Sequence, residues 1–411
     1  MRLVSIYLSI NILLLSPQKV ISAPVYQYDR EPQATEAFAS RDYFYVGGEY
    51  VTISTNNTIF VNQMYVEHIV PSRIEQPYPI VFIHGQGMTG TNWLNKPDGS
   101  PGWASYFLTK GYEIYILDQT ARGRSAWNPS GNTTLTTYSA ERIMQRFTAT
   151  ERYKLWPQAT LHTQWPGNGS IGDPIFDAFY ASNVQFQSNP IIQQTNMQKA
   201  GAALLNRTGP AVLLSHSQGG LMSWVIADVV PELVRAIVSI EPTGPPFQDV
   251  LFPTMMKGGL ARDWGIADLQ LVYEPELGGG KVLEKVLVRN EGAGAGERDG
   301  DGDGDGDGEL EVEVRECWMQ VKPPRILKNL RGIKVLLETG DASFHMLYDG
   351  CTVMYLRQAG VDVQWMRLGD EGIYGNGHMQ FLEKNSDEIA EVLDGWTRRA
   401  VGGTLKRGEV R

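Results

Sequence analysis

The chain has 411 residues, of which 42% are hydrophobic, and a formal net charge of −10. This length fits one large α/β domain with insertions better than two equal domains. Residues 297–316 hold ten carboxylates and two arginines, so most of the negative charge belongs to one segment. The sequence has no basic patch with interleaved aromatic residues, which is the usual signature of nucleic-acid binding, so this class of function has no support.

The first 23 residues have the pattern of a secretory signal peptide. Arg2 supplies the positive charge, residues 3–15 form the apolar run, and Ser22-Ala23 offers small residues for cleavage. The apolar run is too short to span a bilayer, which needs ~20 residues. We therefore expect residues 24–411 to form a secreted, extracellular protein without a stable membrane anchor.

Export predicts two covalent features. The N-x-S/T triplets are candidate glycosylation sites: Asn56, Asn132, Asn168 and Asn206. The two cysteines, Cys317 and Cys351, are expected to form one disulfide in an oxidising compartment, although two unpaired thiols are the alternative. Neither cysteine has a histidine at metal-ligand spacing, so no metal site is predicted.

Strand and helix patterns alternate along most of the chain. Residues 43–70 are rich in β-branched and aromatic residues and predict antiparallel strands. From Tyr78 onward the alternation predicts an α/β fold, with a mainly parallel central sheet and helices on both faces. Two connections, residues 119–210 and 242–332, are too long for simple crossovers and are interpreted as cap-like insertions within a single domain.

The second insertion contains an alternating Asp-Gly run. Residues 292–308 combine glycine with like charge and cannot bury apolar area, so they predict a flexible acidic linker. The run lacks the closing glutamate spacing of a helix-loop-helix calcium site.

The most informative motif is Ser215-His216-Ser217-Gln218-Gly219-Gly220, which directly follows the apolar run 211–214. A serine at a sharp strand-to-helix turn is typical of a nucleophile elbow, although an ordinary Ser/Gly loop would also fit the hexapeptide. The helix beyond it would direct its positive end at the serine, where negative charge develops during acyl transfer. Ser217 is therefore the predicted nucleophile.

The predicted base is a histidine near the C-terminus. Of six histidines, only His378 lies between a late strand, residues 362–368, and a C-terminal amphipathic helix. A neutral imidazole there could take the proton of a distant serine and return it to the leaving group. His345 is the alternative base, but it lies one strand earlier.

Further motifs extend the pattern. The apolar run 78–83 opens into His84-Gly85-Gln86-Gly87-Met88-Thr89-Gly90, and the next strand ends at Asp118 before Arg122-Gly123-Arg124-Ser125. From Tyr78 to the C-terminus the chain resembles the α/β-hydrolase superfamily. Residues 84–90, 152–157 and 375–379 resemble most closely a secreted serine esterase-like branch from fungi and bacteria.

The resemblance implies a Ser-His-acid triad and an oxyanion hole formed by the backbone N–H groups of Gln86 and Gln218. The acid is ambiguous, because Glu241 and Asp341 both follow predicted strands. The superfamily pattern favours Asp341. The secreted branch favours Glu241, and the prolines after Glu241 would hold its carboxylate firmly, so Glu241 is predicted, with Asp341 and then Glu338 as alternatives.

The resulting expectation is a secreted serine hydrolase that cleaves carboxylic esters through an acyl-enzyme, with no cofactor. Its expected substrate is a small, apolar or aromatic ester. Carbon–carbon hydrolysis, lactone hydrolysis and acyl transfer remain alternatives on the same triad. A non-catalytic interaction module is the competing class. The sequence predicts neither the individual substrate nor the oligomeric state.

Overall fold

The computed structural model describes residues 38–129, 133–250, 259–278, 281–289 and 316–402. The predicted signal peptide, Asn132 and the acidic run 292–308 lie outside these ranges. The described strands are β1 (Phe38–Ser54), β2 (Asn57–Pro71), β3 (Ile80–Ile83), β4 (Ile114–Asp118), β5 (Leu135–Thr136), β6 (Phe186–Gln187), β7 (Ala211–His216), β8 (Val234–Ile240), β9 (Tyr273–Glu274), β10 (Lys285–Arg289), β11 (Glu316–Gln320), β12 (Ile326–Leu327), β13 (Lys334–Thr339) and β14 (Asp362–Arg367).

The described α-helices are α1 (Thr91–Leu94), α2 (Trp103–Thr109), α3 (Ala140–Ile143), α4 (Thr150–Tyr153), α5 (Pro174–Ala181), α6 (Pro190–Thr208), α7 (Gln218–Val229), α8 (Asp349–Gln358) and α9 (Ser386–Val401). A π-helical turn covers Met144–Thr148. Short 3₁₀ turns cover Pro157–Leu161, Pro231–Leu233, Phe344–Leu347, Leu368–Glu371 and Gln380–Leu382.

Eight strands form the central sheet in the order β1-β2-β4-β3-β7-β8-β13-β14. The pairings of β1 with β2 and of β2 with β4 are antiparallel, and every other neighbouring pair in this sheet is parallel. The mainly parallel sheet predicted from the alternation of strand and helix patterns is thus confirmed. The first two strands also form the antiparallel pair predicted for residues 43–70.

Side chains alternate between two apolar layers along the buried strands, as the period of two in a strand requires. In β3, Val81 and Ile83 face one layer, whereas Ile80 and Phe82 face the other. Helices α6, α7 and α8 cover the first layer and α2 and α9 the second. The sheet is therefore buried on both faces, which explains why its central strands are continuous hydrophobic runs.

The parallel strands bring their carboxyl ends to one edge of the sheet, where sites in open α/β sheets form. His216, the last residue of β7, pairs with Ile240, the last residue of β8. Ile240 in turn pairs with Glu338 of β13. The residues that follow β7 and β8, Ser217 and Glu241, are consequently neighbours at this edge.

The first insertion, residues 119–210, is attached to the loop that carries His378. The ring of His162 lies 2.7 Å (Nε2) from Glu383 Oε1 and 3.7 Å (Nδ1) from Glu151 Oε2. Glu383 accepts the backbone N–H of Gly377 at 3.1 Å. Burial lowers the pKa of His162, but the two carboxylates outweigh it and raise the pKa to about 9.

Cys317 of β11 and Cys351 of α8 form a disulfide bond, as the sequence predicted. Both residues are buried. The bond joins the second insertion, residues 242–332, to a helix that packs on the central sheet. Among the helices that the structure describes, none has the length and apolar character needed to cross a membrane.

Replacement of both cysteines, Cys317→Ala with Cys351→Ala, should lower the free energy of unfolding by about 2–4 kcal/mol, because the unfolded chain regains the entropy that the cross-link removes. Equilibrium denaturation of the wild-type and double-variant proteins measures the difference. The wild-type protein under reducing conditions is the control. If the wild-type protein is equally stable with and without reductant, the disulfide has no stabilising role.

The His162 ion pair should make stability depend on pH. A group whose folded-state pKa is above its unfolded value of 6.5 stabilises the fold fully below pH 6.5, and the contribution disappears as the pH rises through about 9. The stability advantage of the wild type over His162→Gln should thus shrink between pH 6 and pH 10. Urea denaturation of both proteins across this pH range measures the difference in their free energies of unfolding. A difference that does not change with pH would contradict a raised pKa for His162.

Candidate active site

Ser217 lies between β7 and α7 with φ 53° and ψ −121°, a conformation that non-glycine residues rarely adopt. Its N–H donates to Ile240 O at 2.9 Å, and its carbonyl accepts the N–H of Thr243 at 3.1 Å. A Cβ at Gly219 would lie 2.5 Å from Ile83 O, so only glycine fits there. The turn from His216 to Gln218 has the sharp strand-to-helix geometry that the sequence predicted, and we call it the elbow.

His378 and Glu241 are joined directly, although 137 residues separate them. Nδ1 of the imidazole lies 2.5 Å from Oε2 of the carboxylate. Glu241 has no exposure to solvent and His378 is 2% exposed. A buried hydrogen bond of this kind fixes both the orientation and the tautomer of the ring.

Two further donors hold the Glu241 carboxylate. The N–H of Gly340 donates to Oε1 at 2.9 Å, and the hydroxyl of Ser343 donates to Oε2 at 2.7 Å. Burial raises the pKa of Glu241, whereas His345 and these two hydrogen bonds lower it and favour the charged carboxylate. Like Ser217, Glu241 has a positive φ, 45°, so both residues lie in a strained backbone at adjacent strand ends.

The His378 ring is enclosed by other rings. Phe147 of the first insertion stacks on it with centroids 5.1 Å apart, and Phe344 lies 5.0 Å away. His216 lies beside it, and a ring nitrogen of His216 (Nε2) is 2.9 Å from His378 O. Burial lowers the pKa of His378 well below the ordinary 6.5. The neutral imidazole is therefore favoured, and this is the form that a general base requires.

The alternative acids from the sequence occupy other positions. Asp341 Oδ1 accepts the N–H groups of Gly375 (2.9 Å) and Asn376 (3.1 Å), so Asp341 holds the backbone ahead of His378. Glu338 Oε2 accepts the side-chain amide of Gln380 at 2.7 Å. Among these three carboxylates, Glu241 is the one that accepts a hydrogen bond from the His378 ring.

His345, the alternative base, forms a second imidazole–carboxylate pair. Its Nδ1 lies 2.9 Å from Asp349 Oδ1, and its Nε2 lies 3.0 Å from the hydroxyl of Tyr348. The ring stacks on His378 with centroids 4.8 Å apart and planes 6° apart. His345 thus supports one face of the His378 ring.

The two predicted oxyanion donors lie at the same edge, one on the loop after β3 and the other at the start of α7. Gln218 is the first residue of α7, so its N–H has no acceptor one turn earlier in the helix. Gln86 follows Gly85, where an added Cβ would lie 3.1 Å from Ser217 Cβ. The glycine at position 85 therefore allows the backbone of this loop to approach the elbow closely.

The other predicted polar residue of this region, Asp118, is a structural acid. It accepts the N–H of Gly90 at 2.8 Å and both the backbone and the guanidinium of Arg124 at 2.8 Å. Burial raises its pKa, but Arg124 outweighs burial and the pKa of Asp118 is lowered. Asp118 thus ties residues 84–90 to the loop after β4.

Within the described ranges, one group of metal-ligand side chains has its atoms within 4.8 Å of one another: Glu241, His345 and His378. Each is already hydrogen-bonded inside the protein, Glu241 to His378 and His345 to Asp349. The protein itself therefore supplies a hydrogen-bond partner for each of the three side chains.

Three of the candidate glycosylation residues lie in the described part of the chain, and all three are exposed: Asn56, Asn168 and Asn206. Asn56 forms the turn between β1 and β2, and Asn206 is in the last turn of α6. Their positions are compatible with glycosylation, which stays a prediction.

Sequence reasoning missed several supporting residues: Ser343, Gly340, Asp349, Tyr348 and Phe147. Ser343 and Gly340 lie close to Asp341 in the loop after β13, and Asp341 had already directed attention to this loop in the sequence. The loop supplies donors for the carboxylate of Glu241 instead of an acid of its own. No local pattern in the sequence indicates that Asp349 contacts His345 or that Phe147 contacts His378.

Comparison with known proteins identifies the family. The model of the alpha/beta hydrolase family matches residues 80–392. A curated protein of Fungal sp. (strain ATCC 74256), named "Probable secreted lipase phiG", is 45% identical over 373 residues, which are 90% of this chain and 93% of that protein.

A solved structure of a bacterial esterase shares the fold. It has a TM-score of 0.56 and 22% sequence identity, and the match covers 91% of this chain and 99% of that one. At this identity the likeness concerns the fold, whereas the family model and the fungal relative establish the family. The chain belongs to the alpha/beta hydrolase family.

Proposed function

We propose that the protein is a secreted serine hydrolase that cleaves carboxylic esters. Membership of a hydrolase family and a relative named as a secreted lipase support this activity. The observation that carries the proposal is the buried 2.5 Å hydrogen bond between His378 Nδ1 and Glu241 Oε2, beside a strained serine at the end of β7.

In the proposed first step, Ser217 Oγ attacks the ester carbonyl and its proton passes to His378 Nε2. When Nδ1–H donates to Glu241, Nε2 carries the lone pair that this transfer needs. The imidazolium that forms is stabilised by the Glu241 carboxylate. The N–H groups of Gln86 and Gln218 are proposed to stabilise the negative charge on the former carbonyl oxygen.

In the second step the carbon–oxygen bond to the alcohol breaks, and His378 gives the proton to the departing oxygen. A water molecule then attacks the acyl-enzyme with the same base, and Ser217 leaves as the acid is released. Each proton taken by His378 is returned, so the cycle needs no cofactor or other reactant.

The surroundings of His378 support an apolar or aromatic ester as the substrate class. The ring centroids of Phe147 and Phe344 lie 5.1 Å and 5.0 Å from that of the imidazole. Phe147 belongs to the first insertion, so this insertion contributes to the environment of the reacting groups. Aromatic surfaces of this kind favour apolar groups and exclude water from the reacting centre.

Ser217→Ala should lower kcat for p-nitrophenyl esters by roughly 10⁴-fold or more, because the members of such a triad act as a unit. Ser223→Ala, in the following helix, is the matched control and should keep most of the activity. A fluorophosphonate probe should label the wild type at Ser217, as read by peptide mass spectrometry. A folded Ser217→Ala protein with near-normal turnover would refute the mechanism.

Glu241→Gln should lower kcat by ~10²–10⁴-fold, because an amide keeps the shape but loses the charge that stabilises the imidazolium. Asp341→Asn keeps an acceptor for Gly375 and Asn376, so its main effect should be on stability. Steady-state kinetics with thermal melts of both variants make the comparison. A dead Asp341→Asn enzyme beside an active Glu241→Gln enzyme would reverse the assignment.

A further inference from the structure

Arg122 has an unusual position for a buried cation. Its side chain is 2% exposed, and the two acceptors that the described residues offer it are neutral oxygens. Nη1 donates to Gly85 O at 2.9 Å, and Nη2 donates to Gln218 Oε1 at 2.5 Å. Its Nε has no hydrogen-bond partner in the described part of the chain. Burial of a cation whose hydrogen-bond acceptors carry no charge is costly, which favours a role beyond stability.

Arg124, two residues later, is paired with carboxylates, which is the usual arrangement for a partly buried arginine. Its guanidinium binds the carboxylates of Asp118 and Glu67 and remains partly exposed. The two arginines belong to the same loop after β4 and differ mainly in what they contact. Arg124 therefore provides a natural comparison for Arg122.

The first contact of Arg122 controls the direction of a backbone N–H. In a planar trans peptide, the carbonyl of one residue and the N–H of the next point in opposite directions. The Gly85 carbonyl is held by Arg122 Nη1 and lies 2.8 Å from His84 Nδ1. Its fixed orientation sets the direction of the Gln86 N–H, and a charged donor on the carbonyl also polarises the amide.

The second contact fixes the other predicted donor residue. The Gln218 side chain is held by Arg122 and by Gln193, whose Oε1 accepts the Gln218 amide at 2.9 Å. Gln218 begins α7, so restraint of its side chain also restrains the first N–H groups of this helix. One guanidinium thus bridges the loop after β3 and the elbow.

We propose that Arg122 is the positioning residue of the oxyanion hole, and that it aligns the N–H groups of Gln86 and Gln218 on the developing oxyanion. This inference rests on the proposed esterase function and adds a residue that acts through the backbone rather than on the substrate. The negative charge on this oxygen is absent from the bound ester and develops as the transition state forms, so loss of Arg122 affects kcat more than KM.

The test compares Arg122→Met, Arg122→Lys and the control Arg124→Met in the full chain. Three quantities are measured: kcat and KM for a p-nitrophenyl ester, the inhibition constant of an aryl trifluoromethyl ketone, and the melting temperature. The ketone forms a tetrahedral oxyanion adduct with a serine nucleophile, so its affinity reports on the oxyanion hole.

Arg122→Met should lower kcat by about 10–10²-fold, less than the ~10²–10³-fold typical of losing a donor outright, with KM nearly unchanged. The affinity for the ketone should fall by the same factor as kcat/KM. Arg122→Lys keeps a charge and should recover part of both losses. Arg124→Met should lower the melting temperature but alter kcat and ketone affinity by less than about threefold.

The inference is wrong if Arg122→Met loses stability but keeps kcat and ketone affinity, or if KM alone rises. If Arg122→Met does not fold, Arg122→Lys decides by the same criteria. Failure of the proposed function is distinguishable, because a wild-type protein that neither hydrolyses esters nor reacts with a fluorophosphonate overturns both. Normal wild-type chemistry with unaffected Arg122 variants overturns this inference alone.

Discussion

A fully buried carboxylate at the end of β8 is the constraint on which the arrangement of the site depends. A charge removed from water is tolerated only where hydrogen-bond donors surround it. For Glu241 these donors come from the loop after β13, through Gly340 and Ser343, and from His378 beyond β14. Two segments that are distant in sequence from β8 must therefore converge on the Glu241 carboxylate, and the imidazole is fixed as a result.

Much of this edge of the sheet follows from local sequence. The hydrophobic run before Ser217 and the small residues after it specify a strand, a sharp turn and a helix, and the structure contains all three. The setting of His378 was equally local, because it lies between a late strand and a terminal helix. Patterns of period two and 3.6 report on the immediate neighbours of a residue, which is why these elements could be predicted.

The acid could not be selected from periodicity, because Glu241 and Asp341 both follow buried strands. The register of β8 against β7 and β13, and the backbone hydrogen bonds made by Asp341, separate them in space. Arg122 and Arg124 illustrate the same limit. They are two residues apart in one loop, yet one contacts neutral oxygens near the elbow and the other pairs with carboxylates. The contacts of Arg122 with Gly85 and Gln218 span 37 and 96 positions of sequence, and that of Arg124 with Glu67 spans 57, so local patterns do not report them.

The contact between His216 and the backbone of His378 has an evolutionary consequence. His216 is the residue immediately before Ser217, and its ring nitrogen lies 2.9 Å from the His378 carbonyl oxygen. The strand that carries the serine thereby holds the loop that carries the histidine, with no residue of either long insertion between them. Positions in residues 119–210 and 242–332 that contact neither the site nor its loops can accordingly diverge without disturbing this junction, whereas Arg122 and Phe147 of the first insertion are constrained by their contacts. The parts of the insertions away from the site can thus change while the serine and the histidine keep their relative position.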